Sequence, residues 1–378
     1  MDGPQIAVGL MSGTSADGID AVLVRTDGIA APRLLASLEI PYPIAMHQRI
    51  LDLYQPSEGE MDRMGHLHRE LGMLFAEAAI AVCQKGGLSM ERVVVIGSHG
   101  QTVRHRPPHF TVQIGDPFVI AAQTGVTTVA DFRPADVARG GEGAPLTPLF
   151  HQILFSRPGQ TVAVLNLGGV ANVTALTCNP EIPVLAGDVG PANSLLDLLA
   201  ARVSGGADRV DRQGEAASRG RVDPVALAWL MDHPYLSRPF PKSTGREVFG
   251  LEFLNLFLLT FPHLEGDDGF ATLARFTVES VAEACCRLLP PFPQRLILCG
   301  GGANNLFLVE SLMHRLSFTH ISYATDLGVD VDSLEAQAFA WFAVRTLKGL
   351  TSSLPNATGA KEAAILGAIY PGSRYFKV

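Results

Sequence analysis

A strand, a glycine-rich turn and a second strand occur twice in this chain, and that repeat constrains its fold more than any other feature. The first copy runs through Ile6–Met11, the turn SGTSADG and the segment IDAVLVRT; the second, TVAVLNLGGVANVTAL, comes about 155 residues later. Both join β-branched apolar runs through a turn that glycine makes without steric cost. Further helices and strands follow each copy, so the pattern predicts a duplicated α/β architecture with a cleft between its halves. RPGQ supplies turn chemistry near Arg157–Gln160. That places an N-terminal lobe at residues 1–157 and a C-terminal lobe at 158–378.

Within each half the periodicity is legible. RLLASLEIPY predicts a third strand, and Met61 to Cys83 carries apolar residues at helical spacing. VVVIGSHG predicts a buried strand running into a turn, and Asp116 is placed to cap the helix PFVIAAQTG. Later helices are expected near Ser194–Val203, Pro224–Met231, Asp268–Leu289, Leu334–Leu347 and Lys361–Ile369. RLILCGGGANN predicts a buried strand, three glycines and a helix starting near Asn305.

Composition narrows the partners. Hydrophobic residues make up 47% of the 378 and charged ones 17%, enough for a large core and too apolar for disorder. A net charge of −8 without a Lys/Arg run argues against nucleic acid, while backbone N–H groups still allow a small anionic ligand. The five cysteines (Cys83, Cys178, Cys285, Cys286 and Cys299) are odd in number and lack C-x-x-C spacing, which speaks against disulfides and zinc. Leu251–Phe261 is too short to span a bilayer and the N-terminus has no basic signal region, so a soluble cytoplasmic protein with no membrane partner is expected.

The chemistry lies in the turns. No P-loop, H-E-x-x-H, G-x-S-x-G or G-x-G-x-x-G motif occurs. The stretch Gly13, Thr14, Ser15, Ala16, Asp17, Gly18, Ile19 and Asp20 offers N–H groups and hydroxyls to a polyphosphate, with Asp17 and Asp20 able to position Mg²⁺ through water. An ordinary hairpin with Asp17-Gly18 as its tight pair reads the same way. Asn166, Gly168 and Gly169 open a second approach to phosphate, and Gly300, Gly301 and Gly302 leave bare backbone for a flat ring. Each has a plain alternative, a hairpin or a close helix–strand crossing; together they describe a nucleotide clamp. Asp188, in the turn GDVGPANS, is set to present a carboxylate, with an N-cap as the rival role. His99, Gln101, Gln113, Asp131 and Arg133 fall at strand ends, where pockets form in α/β folds. Lys242–Glu247 offers anion contacts or solvated charge, and Glu335 is a lone carboxylate on an apolar helix.

In order, GLMSGTSADGID, SHGQTV, QIGDP, ADFR, GGEGAPLTP, NLGGVANVT, GDVGPANSLLD, PKSTGRE, CGGGANN and LEAQAFA resemble the 1,6-anhydro-N-acetylmuramic acid kinases, from Gly9 to about Ala343. The chain departs from that pattern at Val189 and Ala192, where Thr and Gly are more usual. The resemblance implies a two-lobed, duplicated ribonuclease-H-like (actin-like ATPase) fold closing over ATP, Mg²⁺ and a small amino sugar. It implies that Gly13–Asp20 is the ATP loop, that Asp188 is the catalytic aspartate and that Glu335 assists the attacking water. The implied reaction opens the anhydro bridge with water and phosphorylates the 6-oxygen, in cell-wall recycling, and the implied assembly is a homodimer. The rivals are a conventional sugar kinase acting on a free hydroxyl and an ATP-gated binding module.

Overall fold

The computed structural model describes residues 3–373 apart from residues 14, 178, 180, 181, 209, 289–292, 318 and 332. Thr14, Cys178 and the expected helix end at Leu289 therefore lie outside the described residues. The chain forms two compact units, Met1–Leu154 with Asp332–Val378, and Phe155–Val331.

The first unit begins with an antiparallel meander of β1 (Gln5–Ser12), β2 (Gly18–Thr26) and β3 (Arg33–Pro41). β4 (Val93–Arg106) lies parallel to β1, β5 (Phe110–Ile114) folds back on β4, and β6 (Thr128–Ala130) runs parallel to β4. The second unit repeats the plan. β7 (Val162–Leu167), β8 (Val170–Leu176) and β9 (Leu185–Pro191) form an antiparallel meander, with β10 (Arg295–Cys299) parallel to β7 and β11 (His320–Tyr323) parallel to β10. Finally β12 (Ala368–Tyr370) returns to pair antiparallel with β6. Without β5 and β12, the order β6-β4-β1-β2-β3 matches β11-β10-β7-β8-β9 in sequence and direction. The expected duplicated ribonuclease-H-like α/β fold is present in both units.

Local chemistry accounts for the elements. Helix Glu60–Lys85 buries Leu67, Leu71, Phe75 and Val82 in the first core, with Glu60 and Asp62 in its first turn and Lys85 in its last. The Asp116 carboxylate accepts from the amides of Phe118 (2.9 Å) and Val119 (3.3 Å), capping helix Pro117–Thr124, which closes at Gly125 with φ +68°. β4 does not turn after Gly100. It runs on to Arg106 because β5 supplies a hydrogen-bonding partner for its second half.

Two corrections concern the C-terminus. Helix Leu334–Leu347 belongs to the first unit, although an unbroken lobe of 158–378 assigns it to the second. A Cβ at Gly9 would overlap the carbonyl oxygen of Ala336, and one at Gly97 that of Phe339, so two bare strand positions let the helix lie directly on the sheet. Trp341 is fully buried there and its Nε1–H donates to the Ala30 carbonyl at 3.1 Å. The expected helix over Lys361–Ile369 is also absent: residues 361–367 are irregular and 368–370 form β12. Tertiary partners override the helical composition. The amides of Ser352 and Ser353 and the hydroxyl of Thr346 donate to the carbonyls of Ala364 and Leu366, and Gly367 sits at φ +90°.

The Gly97 contact yields a stability prediction. Gly97→Ala forces a methyl against the Phe339 carbonyl and lowers unfolding free energy by about 1–3 kcal/mol. Urea titration of the variant against the parent chain checks this.

Candidate active site

In the second unit three of the expected features converge. Asn166 stands near the end of β7, the turn after it carries Gly168 and Gly169, and the turn after β10 carries Gly300, Gly301 and Gly302. A Cβ on Gly300 would strike the Asn166 side chain, and one on Gly302 would lie 2.9 Å from the Leu167 oxygen and 2.8 Å from Asn193 Nδ2. The two turns touch because these positions are bare. Asn193 then locks the first turn: its Nδ2 donates to the carbonyls of Leu167 (3.1 Å) and Gly168 (2.9 Å). Beside the three glycines, a cavity of about 670 Å³ is lined by Arg212, Gln213, Asn304 and Tyr323 among others. Gln213 holds a left-handed backbone at φ 54°, a conformation concentrated at functional sites.

Asp188 lies on β9, opposite Asn172 of β8. Its Oδ2 accepts from the Thr244 amide (2.9 Å), its own amide donates to the Lys242 carbonyl (2.9 Å), and its carbonyl accepts from the Tyr235 hydroxyl (2.8 Å). The half-buried carboxylate is thus held in part by backbone. Asp197, one turn into the following helix, is pushed up to about 6 by burial, with Arg246 opposing. The Thr244 hydroxyl is buried and has no partner among the described residues. Thr244→Val therefore breaks no hydrogen bond, and its unfolding free energy stays within about 0.5 kcal/mol of the parent, measured in urea.

In the first unit the glycine turn is braced from below. Gln101 Nε2 donates to the Gly13 carbonyl (3.0 Å) and the Tyr54 hydroxyl (3.1 Å), and the Ser12 hydroxyl lies 2.8 Å from the Gly18 carbonyl and 2.5 Å from Gln101 Oε1. Gln101 thus supports the turn and does not face a pocket with the other polar strand-end residues. Gly18, Ile19 and Asp20 are already in β2, with Ile19 wholly in the core, while Ser15 and Asp17 are exposed and Ala16 is buried at φ 55°. Burial drives the Tyr42 hydroxyl pKa upward, and the charges of Asp17 and Asp20 add to the rise.

The other strand-end residues fall into two groups joined by His99. His99 and Arg133 form one: Arg133 Nε donates to His99 Nε2 (2.9 Å) and its Nη1 to the Gly143 carbonyl (2.8 Å). His99 Nδ1 lies 2.9 Å from the Gly100 carbonyl, so the neutral ring donates from Nδ1 and accepts at Nε2. Burial, then Arg133, hold its pKa well below 6.5. Glu335 keeps a solvent-exposed side chain, yet the protein around it raises its carboxyl, with Arg133 pulling the other way. Gln113 and Asp131 form the second group and, with His99 of the first, Ser98, His68, Asp116 and Tyr370, line a cavity of about 240 Å³. Ser98 Oγ and Gln113 Oε1 are buried without partners among the described residues, and left-handed Asp131 (φ 55°) accepts from the Tyr370 hydroxyl.

Because His99 is neutral when folded and takes a proton near pH 6.5 when unfolded, it adds stability above that pH which is lost as pH falls. Below pH 6.5, His99→Gln shows a shallower stability slope than the parent by about 1.4 kcal/mol per pH unit, read from urea midpoints across pH.

Sequence reasoning named the glycines and Asp188 but missed Asn193, Thr244, Arg212, Gln213, Tyr323 and Tyr370. Asn193 and Thr244 stood inside quoted motifs; the other four had no local signal.

Glycine turns at corresponding strand ends of two like sheets define the class: a duplicated α/β protein. The anhydro-N-acetylmuramic acid kinase family model matches residues 5–372. The anhydro-N-acetylmuramic acid kinase of Shewanella amazonensis is 44% identical over 97% of this chain and 98% of its own length. That of Pasteurella multocida is 42% identical over 96% of each. Among solved structures, a ROK family glucokinase from Streptomyces griseus, in complex with glucose and AMPPNP, covers 89% of this chain and 99% of its own at TM-score 0.41 and 14% identity. The chain belongs to the anhydro-N-acetylmuramic acid kinase family.

Proposed function

We propose that the chain converts 1,6-anhydro-N-acetylmuramic acid, ATP and one water to N-acetylmuramic acid 6-phosphate and ADP, in the cytoplasm, as a step of cell-wall recycling. The observation that carries the reading is Asp188, whose carboxylate is held by the Thr244 amide in the same unit as the two contacting glycine turns. Asp188 takes a proton from water as the water oxygen bonds to the anomeric carbon and the bond from that carbon to the 6-oxygen breaks. The released 6-oxygen bonds to the γ-phosphorus as its bond to ADP breaks. One base serves both halves, because the leaving group of the first is the nucleophile of the second.

In this reading the turn 13–17 and the turn carrying Gly168 and Gly169 hold phosphates through N–H groups, and the cavity beside Gly300–Gly302 takes the adenosine. The pocket of Gln113, Asp131 and Ser98 receives sugar hydroxyls, which donate to its acceptors. Glu335, beside Arg133, orients the attacking water. Among the described residues no three His, Cys, Asp or Glu gather as a metal site. Asp17 and Asp20 still suit Mg²⁺, which takes one or two carboxylates and keeps its waters. Bound there, it would neutralise phosphate charge. No described helix is long and apolar enough to cross a membrane. A homodimer is part of the proposal through the family resemblance alone.

Asp188→Asn tests the mechanism. Product formation from anhydrosugar and ATP, followed by mass spectrometry, falls about 10²–10⁴-fold. In ¹⁸O-labelled water the parent chain places one label at the anomeric carbon. Near-normal turnover by the variant, or an unlabelled product, contradicts the reading.

A further inference from the structure

Lys242 is 3% exposed and forms no ion pair among the described residues. A buried ammonium without a counter-ion is costly unless its donors are well used. Its Nζ donates to the carbonyls of Tyr235 (3.1 Å) and Leu236 (2.9 Å) and stands 4.5 Å from the Tyr235 ring centre and 4.9 Å from that of Phe240. These contacts join two segments that each grip Asp188. The Lys242 carbonyl and Thr244 amide hold the Asp188 amide and carboxylate, and the Tyr235 hydroxyl holds its carbonyl. Strand β9 lies so close that a Cβ at Gly187 would come within 2.7 Å of the Phe240 ring and 2.9 Å of the Lys242 oxygen. Arg287 fixes the far side by donating to the Leu236 carbonyl at 2.6 Å.

We propose that Lys242 is a positioning residue: its ammonium ties segment 242–244 to the short helix Pro234–Ser237 and thereby aims the Asp188 carboxylate. This rests on the reading of Asp188 as the general base. The groups facing the ammonium are Glu283 and Arg287 of helix Asp267–Leu288, Arg238 beyond the short helix, and Asp188 on β9. Burial and the two arginines outweigh the carboxylates and push the lysine down to about 8. Once deprotonated, the amine loses its charge and one donor, so the grip slackens as pH rises through that value.

The test compares the parent chain, Lys242→Met and Asp188→Asn for kcat, KM for ATP, thermal midpoint and pH–rate profile. Lys242→Met is expected to lose about 10- to 100-fold in kcat, with KM for ATP unchanged within about twofold. The parent is expected to show an alkaline fall in kcat near pH 8 that Lys242→Met lacks. A folded Lys242→Met with parental kcat and pH profile, beside an inactive Asp188→Asn, overturns the positioning role and leaves the base intact. An active Asp188→Asn overturns both. Should Lys242→Met fail to fold, Tyr235→Phe carries the test, because it keeps the ring beside the ammonium and removes the bond to the Asp188 carbonyl. A several-fold loss in kcat with the alkaline fall retained supports the proposal; a parental kcat, or a parent chain with no alkaline fall near pH 8, overturns it.

Discussion

Much of this protein depends on backbone touching backbone where a side chain is missing. Gly9 and Gly97 let helix Leu334–Leu347 rest on the first sheet, with carbonyl oxygens where a Cβ would be. Gly300 and Gly302 let the turn after β10 reach the carbonyl and side chain at the turn after β7. A methyl group at any of these places separates the paired elements, and in the second unit it pulls apart the two turns proposed to hold a nucleotide. Glycine's conformational entropy cost is accepted where the contact needs bare backbone.

The same economy governs charge. The chain carries −8 overall and has no Lys/Arg run in its sequence. Its notable cations are occupied elsewhere: Arg133 donates to His99 and Gly143, and Lys242 is enclosed by two carbonyls and two rings. The Asp188 carboxylate accepts from a backbone amide, that of Thr244.

Motif by motif, the glycine turns, Asp116 as a cap and the strand–turn–strand repeat were legible because each rests on local chemistry: a tight turn, a capped amide, an alternation of apolar residues; Asp188, expected in a turn, lies instead within strand β9, paired opposite Asn172. Gln101 was legible as a polar strand-end residue, but its role was not, since only the fold shows it bracing Gly13 from 88 positions away. Arg212 and Gln213, in a short 3-10 helix, meet Tyr323 of β11 at one cavity, and no spacing rule connects residue 213 to residue 323. Lys361–Ile369 reads as helix by composition; its backbone was claimed instead by Thr346, Ser352, Ser353 and β6.

By itself the amino-acid order determined that two like α/β halves exist and where their turns fall, and its ordered motifs carry the family, because strand periodicity and turn residues act within a few positions of the chain. Tertiary structure decided that helix Leu334–Leu347 crosses back to the first unit, that Gly300 meets Asn166, and that a lysine two residues before Thr244 joins the supports of Asp188. Those outcomes turn on which distant surfaces bury each other and which buried donors find acceptors, and that is settled only when the whole chain packs.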